Sequence, residues 1–234
     1  MMSDRERWFP EELVFADRRE AGRALAARLE RYRDGDTLVL GLPRGGVVVA
    51  AEAARLLDAE LDVVVARKLG SPISPELAIG AVTAGGARFL NEDIIQELDV
   101  SEAYLAAVTK VQQAEARRRE ADLRGARPAA RVSGRTVILV DDGLATGATM
   151  RAAVRAVRDA HPRRLVVAVP VGSRQACAAL RTEADEVIAV AEPEDFRAVG
   201  EFYRDFSQTE DAEVRALLVQ RPRAPASFAS QPGR

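Results

Sequence analysis

The chain has 234 residues, of which 47% are apolar and 30% charged, and a formal net charge of −2. That length suits one good-sized core rather than two, and the near balance of charge gives no global attraction to nucleic acid or an anionic membrane. A single cysteine, Cys177, rules out an intrachain disulfide and a cysteine metal cluster, and a single histidine, His161, leaves a Ser-His-Asp triad or a histidine metal site little support.

Residues 17–33 carry Ala21, Leu25, Leu29 and Tyr32 at helical spacing, and Gly35-Asp36 closes that helix. Thr37 to Leu42 reads as a buried strand, Val47 to Leu57 as a helix, and Val63 to Ala66 as a second buried strand. Pro72 and Pro75 then impose an irregular loop. The segments Ala78 to Val82 and Ala87 to Leu90 flank Thr83-Ala84-Gly85-Gly86, which predicts a hairpin. Asn91 to Leu98 and Glu102 to Leu123 are charged and helical, and the run Arg117-Arg118-Arg119-Glu120 reads as a solvated helix face rather than an anion site. Buried strands resume at Val137–Val140, Leu165–Val171 and Val187–Val190.

Apolar strands alternating with helices predict an α/β fold built on a mainly parallel twisted sheet, with ligands at the carboxyl ends of the strands. Cys177 falls among alanines in a predicted helix and reads as a packed small hydrophobe, and His161 before Pro162 reads as a surface cap. The opening Met-Met-Ser-Asp-Arg-Glu-Arg-Trp lacks an apolar targeting segment, and no run approaches membrane-spanning length, so the expected location is cytoplasmic. The Pro-, Ser-, Ala- and Arg-rich stretch 221–234 is expected to be a disordered tail.

One stretch carries most of the chemistry. The apolar run Val137 to Val140 ends in two adjacent carboxylates, Asp141 and Asp142, followed by Gly143-Leu144-Ala145-Thr146-Gly147-Ala148-Thr149 and a helical pattern from Met150. A strand that turns into a helix N-terminus offers unpaired backbone N–H groups to an anion. Gly143 and Gly147 permit a close backbone approach, and Thr146 and Thr149 add hydroxyl donors. The carboxylates would repel a phosphate but accept the hydrogens of a neighbouring diol. Phosphate on one side and a ribose diol on the other describe a ribose 5-phosphate. A P-loop needs a lysine that is absent here, a dinucleotide loop needs Gly-x-Gly-x-x-Gly, and an aspartyl phosphatase would need a second Asp where Gly143 stands.

This run resembles the 5-phosphoribosyl 1-pyrophosphate (PRPP) motif of type I phosphoribosyltransferases. The resemblance implies that Asp141 and Asp142 hold the ribose hydroxyls and that residues Ala145, Thr146, Gly147, Ala148 and Thr149 wrap the 5′-phosphate. It also implies that fold, with a phosphoribosyltransferase domain over 10–220 and a small hood over 191–206; the helical insertion over 91–125 departs from it, being longer than a minimal member needs. A second strand-loop-helix unit, Gly41-Leu42-Pro43-Arg44-Gly45-Gly46, looks like the pyrophosphate loop of the same family, with Arg44 as fixed charge and Gly45 and Gly46 exposing N–H groups.

Arg67-Lys68, at the end of the second predicted strand, lies where the family carries pyrophosphate-binding cations ahead of a mobile loop. Lys68 is the better candidate of the two, with plain surface charge as the competing reading. Near the C-terminus, Phe196 and Asp205 resemble the base-stacking aromatic and metal-proximal acid of purine-type members, although the spacing is one residue longer and core packing competes for Phe196. Ala145 departs from hypoxanthine-guanine enzymes, which carry an acid there, so their way of handling the base's proton is in doubt here.

The implied activity is Mg²⁺-dependent transfer of ribose 5-phosphate from PRPP to a nitrogenous small-molecule acceptor, with release of pyrophosphate. Arg44, Lys68, Asp141 and Asp142 would carry the reaction, and Asp142 and Asp205 would contribute to a Mg²⁺ held mainly by PRPP. Neither nucleic acid nor membrane is an expected partner, and a homodimer is the expected assembly, with 91–125 as a lid or dimer surface. A PRPP- or nucleotide-binding regulatory protein without catalysis is the alternative.

Overall fold

The computed structural model describes residues 14–33 and 35–219. The tail expected to be disordered, 221–234, lies outside them. Helix α1 (Arg18–Arg28) is capped by Asp17, whose side chain accepts the Glu20 N–H, and runs through a 3₁₀ turn (Glu30–Tyr32) into strand β1 (Thr37–Gly41). Helix α2 (Gly45–Leu57) leads to β2 (Glu60–Val63), and β3 (Ala66–Gly70), β4 (Ala78–Thr83) and β5 (Arg88–Leu90) follow. Helices α3 (Glu92–Glu97) and α4 (Glu102–Arg124) precede β6 (Thr136–Val140) and α5 (Ala148–Asp159). Then come β7 (Arg164–Val171), α6 (Arg174–Leu180), β8 (Glu186–Ala191), a 3₁₀ turn (Val199–Phe202) and α7 (Asp211–Val219).

Five strands form one parallel sheet in the order β2-β1-β6-β7-β8, as the alternation of buried strands and helices predicts. Side chains on its central strands alternate between two cores, as a sheet covered on both faces requires. Val39, Ile138 and Val140 pack with α1 and α2, while Leu38, Leu40, Val137 and Leu139 pack with α5 and α6. The chain leaves β1 toward β2 on one side and leaves β6 toward β7 on the other. That reversal opens a crevice at the carboxyl ends of β1 and β6, the expected ligand position in such a sheet. Gly41 pairs with Val140, so the two loops that follow these strands emerge side by side.

The second strand differs from its expected position. Glu60–Val63 pairs with β1, whereas Ala66–Gly70 belongs to a separate antiparallel sheet with β4 and β5. The apolar run Val63-Val64-Val65-Ala66 is the crossing between two cores, and a crossing between cores is as apolar as a strand. Arg67 and Lys68 therefore sit within β3, not at the end of a core strand. The hairpin around Gly85-Gly86 and the two helices after it form as expected. The end of α4 is tied to the parallel sheet by buried Asp62, which accepts from Arg124 Nε at 3.1 Å and from the Ala130 N–H at 2.8 Å. No helix among the described residues is long and apolar enough to cross a membrane.

Candidate active site

Asp141 and Asp142 follow directly on the last residue of β6. The Asp142 N–H donates to Asp141 Oδ1 at 2.9 Å, which fixes the pair's local geometry. Burial, then the neighbouring Asp142 carboxylate, push the Asp141 carboxyl well above the usual aspartate range. Asp142 is held from two distant parts of the chain. Arg18 Nε donates to its Oδ2 at 2.7 Å, and the Tyr203 hydroxyl donates to its backbone oxygen at 2.5 Å. Burial raises the Tyr203 phenol far above its ordinary value, so it remains a donor.

Arg18 is itself fixed by donating Nη1 to the Ser207 carbonyl at 2.7 Å and by lying over the Phe206 ring at 4.0 Å. Arg18 is marked by no local pattern, and Tyr203 only as part of the hood segment 191–206, with no role of its own. Arg18 reads as one polar position in an amphipathic helix, and Tyr203 as one aromatic in a C-terminal cluster.

The loop after Asp142 is pinned to the end of β7 and to the residues just beyond it. The Leu144 N–H donates to the Val171 carbonyl, the Ser173 N–H returns a bond to Leu144, and Ser173 Oγ donates to the Ala145 carbonyl at 2.7 Å. Ala145 and Thr146 are exposed, Gly147 adopts φ +78°, and α5 begins at Ala148 with no side-chain cap on its first N–H groups. The positive φ at Gly147 is the one place in this loop where glycine is needed to turn the chain into the helix.

The loop after β1 has matching character. Leu42 N–H donates to the Val140 carbonyl, the Pro43–Arg44 peptide is cis, and α2 also starts without a side-chain cap. Helix α3 also lacks one, whereas α1, α4 and α6 are capped by Asp17, Ser101 and Ser173. Gly45 and Gly46 lie against the acidic pair: a Cβ on Gly46 would stand 2.7 Å from Asp141 Oδ1, and one on Gly45 would overlap the Asp142 carboxylate. Two uncapped helix N-termini thus flank two carboxylates at the carboxyl ends of β1 and β6. Arg44, in the first of these loops, faces Asp211 Oδ1 at 3.9 Å.

Lys68 is exposed and lines a cleft of about 520 Å³ with Arg67, Tyr104, Gln112 and Thr149 of the second loop. β3 therefore brings Lys68 to the flank of that loop. Phe196 stacks on Phe202, with centroids 5.6 Å apart, and packs with Val199 in a small core that also holds Phe15 and Tyr203. The ring is half-buried, with Phe202 against it. Asp205 Oδ1 accepts the Ser207 N–H at 2.9 Å, which lowers its carboxyl below the usual range, and no cluster of three acidic or other metal-ligating side chains occurs among the described residues.

The chain belongs to the phosphoribosyl transferase domain family, whose model matches residues 16–207. Two Mycobacterium tuberculosis proteins, named "Putative phosphoribosyl transferase Rv0571c" in strain H37Rv and "Putative phosphoribosyl transferase MT0597" in strain CDC 1551, are each 46% identical over 205 residues. That match covers 88% of this chain and 46% of each relative, so the chain spans about half the length of the curated relatives it matches. The crystal structure of the protein TT1426 from Thermus thermophilus is 47% identical, with a TM-score of 0.76, and the match covers 88% of this chain and 97% of that one.

Proposed function

We propose that the protein transfers ribose 5-phosphate from PRPP to a nitrogenous small-molecule acceptor and releases pyrophosphate. The observation that carries this reading is the in-register pairing of Gly41 with Val140, which sets the two uncapped helix starts on either side of Asp141 and Asp142. A phosphate suits the α5 start, a pyrophosphate suits the α2 start beside Arg44, and the carboxylates between them suit a vicinal diol.

Cleavage of the C1–O bond to pyrophosphate builds positive charge on the ribose and negative charge on the leaving group. The chain's part is to orient PRPP and to stabilise those charges. In this reading the Ala148 and Thr149 N–H groups hold the 5′-phosphate, Asp141 and Asp142 accept the ribose hydroxyls, and Arg44 with Lys68 receives the pyrophosphate. Arg18 and Tyr203 keep Asp142 in place. An ion carried by substrate phosphates needs few protein carboxylates, and an acidic pair with no third ligand among the described residues fits Mg²⁺ bound in that manner. Asp141 and Asp142 would hold it, and it would supply charge neutralisation for the leaving group. Asp205, whose exposed carboxylate keeps one oxygen clear of the Ser207 N–H, would add to them, as the family resemblance implies.

A second reading, a PRPP-binding regulator without catalysis, draws on Ala145 in place of an acid and on Phe202 lying against the expected base-stacking ring of Phe196. One experiment separates the two. The protein is incubated with Mg²⁺, PRPP and a panel of purines, pyrimidines and small amines while pyrophosphate release is followed. Release with one acceptor establishes the transferase, tight PRPP binding without release establishes the regulator, and no PRPP binding overturns both.

A further inference from the structure

Three consecutive arginines on α4 have three different partners. Arg117 Nε donates to the Ala84 carbonyl at 2.8 Å, and Arg118 pairs with Glu115 and Asp122 of its own helix at 2.7 and 2.9 Å. Arg119 reaches away from α4: its Nη2 bonds Asp211 Oδ1 at 2.7 Å. The same oxygen is the one that faces Arg44 Nη1. Asp211 opens α7, which packs against both α2 and α4. A carboxylate at a helix start is favourably placed by the helix dipole.

Among the described residues, neither Arg44 nor Arg119 has another acidic partner. Two guanidinium groups on one carboxylate leave a net positive cluster, and each keeps most of its N–H donors free. Their side chains are 27% and 24% exposed, so those donors are reachable without being fully hydrated. Glu115 of α4 is taken by Arg118, so Arg44 and Arg119 share the one carboxylate of Asp211, and Arg44 belongs to the loop that begins an uncapped helix.

We infer that Arg119 is a further pyrophosphate-binding residue, beside Arg44 and Lys68, and that Asp211 is the positioning residue that holds it beside Arg44. This rests on the PRPP reading above and deepens its pyrophosphate end. Without Asp211 the two guanidinium groups would repel each other. With it they present forked donors to an anion that gains charge as the C1–O bond breaks. The helical stretch 91–125 then lends a side chain to the site rather than only covering it.

Calorimetric titration of the full chain with Mg-pyrophosphate, and separately with ribose 5-phosphate, tests this. Arg119→Gln should weaken pyrophosphate about tenfold or more, the size of a charged hydrogen bond to an anion, and leave ribose 5-phosphate unchanged. Arg119→Lys should recover part of the loss, and Arg118→Gln should bind both ligands as the parent does. Asp211→Asn should also weaken pyrophosphate, and the Arg119→Gln/Asp211→Asn double variant should be no weaker than Arg119→Gln alone, because Asp211 acts through Arg119. Unchanged pyrophosphate binding in Arg119→Gln, or equal weakening of both ligands, would overturn the inference. Tighter pyrophosphate binding in Asp211→Asn would make Asp211 a competitor and overturn its positioning role. A parent protein that binds neither ligand removes the PRPP reading and this inference together, whereas a parent that binds both, beside an unaffected Arg119→Gln, removes only the inference.

Discussion

Arg18 Nε donates to Asp142 Oδ2 at 2.7 Å, which fastens the first turn of α1 to the acidic pair at the end of β6. The two side chains are only 12% and 17% exposed, so removing one partner leaves a poorly solvated charge on the other. Arg18→Gln is expected to cost about 1–3 kcal/mol of folding stability and to raise the KM for PRPP. Arg18→Lys should fall between, because one ammonium group cannot serve Asp142, the Ser207 carbonyl and the Phe206 face together. Denaturant unfolding of both variants with PRPP titration checks this; a fully stable Arg18→Gln variant with parental PRPP affinity would refute it.

The glycines of the first loop provide a steric test of the same geometry. A Cβ at Gly46 would stand 2.8 Å from the Asp141 Cα and 2.9 Å from the Val140 carbonyl, which are backbone atoms that cannot swing aside. Gly46→Ala is expected to lose about 1–3 kcal/mol and most PRPP binding. Gly134 has φ +77° but open space around it, so Gly134→Ala should cost roughly 1 kcal/mol of backbone strain and leave PRPP binding alone. The pair of variants, measured by unfolding and by ligand titration, separates crowding at the site from general destabilisation.

What the sequence disclosed and what it hid follow from chain distance. The β6 strand, its acidic pair and the loop to Thr149 are contiguous, so their chemistry is readable residue by residue. The Arg44 loop is legible for the same reason. Arg18, Tyr203 and Asp211 come from segments far along the chain, and only the folded topology brings them to Asp142 or Arg44. Lys68 is identifiable as a cation, but its place in the antiparallel sheet is not, because the apolar run Val63 to Ala66 spans the end of β2, the crossing and the start of β3. Phe196 lacks a sequence signal that would separate a ligand-facing ring from one that stacks on Phe202.

Cys177 offers a check on the core away from the site. It is fully buried on α6, and burial pushes its thiol up to about 11. The folded protein is expected to resist alkylation by iodoacetamide at about pH 8 and to react once unfolded in denaturant. Because the folded value is raised above the unfolded one, this group's contribution to stability is intact below the ordinary thiol range and is lost as pH climbs toward the raised value. Rapid labelling of the native chain would contradict the burial of Cys177 in the core that also holds Leu139, Val167 and Leu180.

Asp141 should leave the clearest mark on pH dependence. Its carboxyl is raised by burial and by Asp142, so below the ordinary aspartate range both folded and unfolded chains hold the proton and the group is neutral in effect. As pH rises past that range the unfolded chain releases its proton while the folded site retains it, and stability falls until the raised value is passed. Asp185, held low by its Arg158 hydrogen bonds, contributes the opposite slope, so the difference between parent and variant is the quantity to read. Asp141→Asn removes the penalty. It should be more stable than the parent at about pH 7, with the gap closing toward about pH 4, and it should bind PRPP poorly because an amide is a weaker acceptor for the ribose hydroxyls. Gain of stability with loss of ligand is the outcome expected of a residue kept for binding rather than for folding. A stability difference that is the same at both pH values would show that Asp141 does not titrate out of step with the unfolded chain.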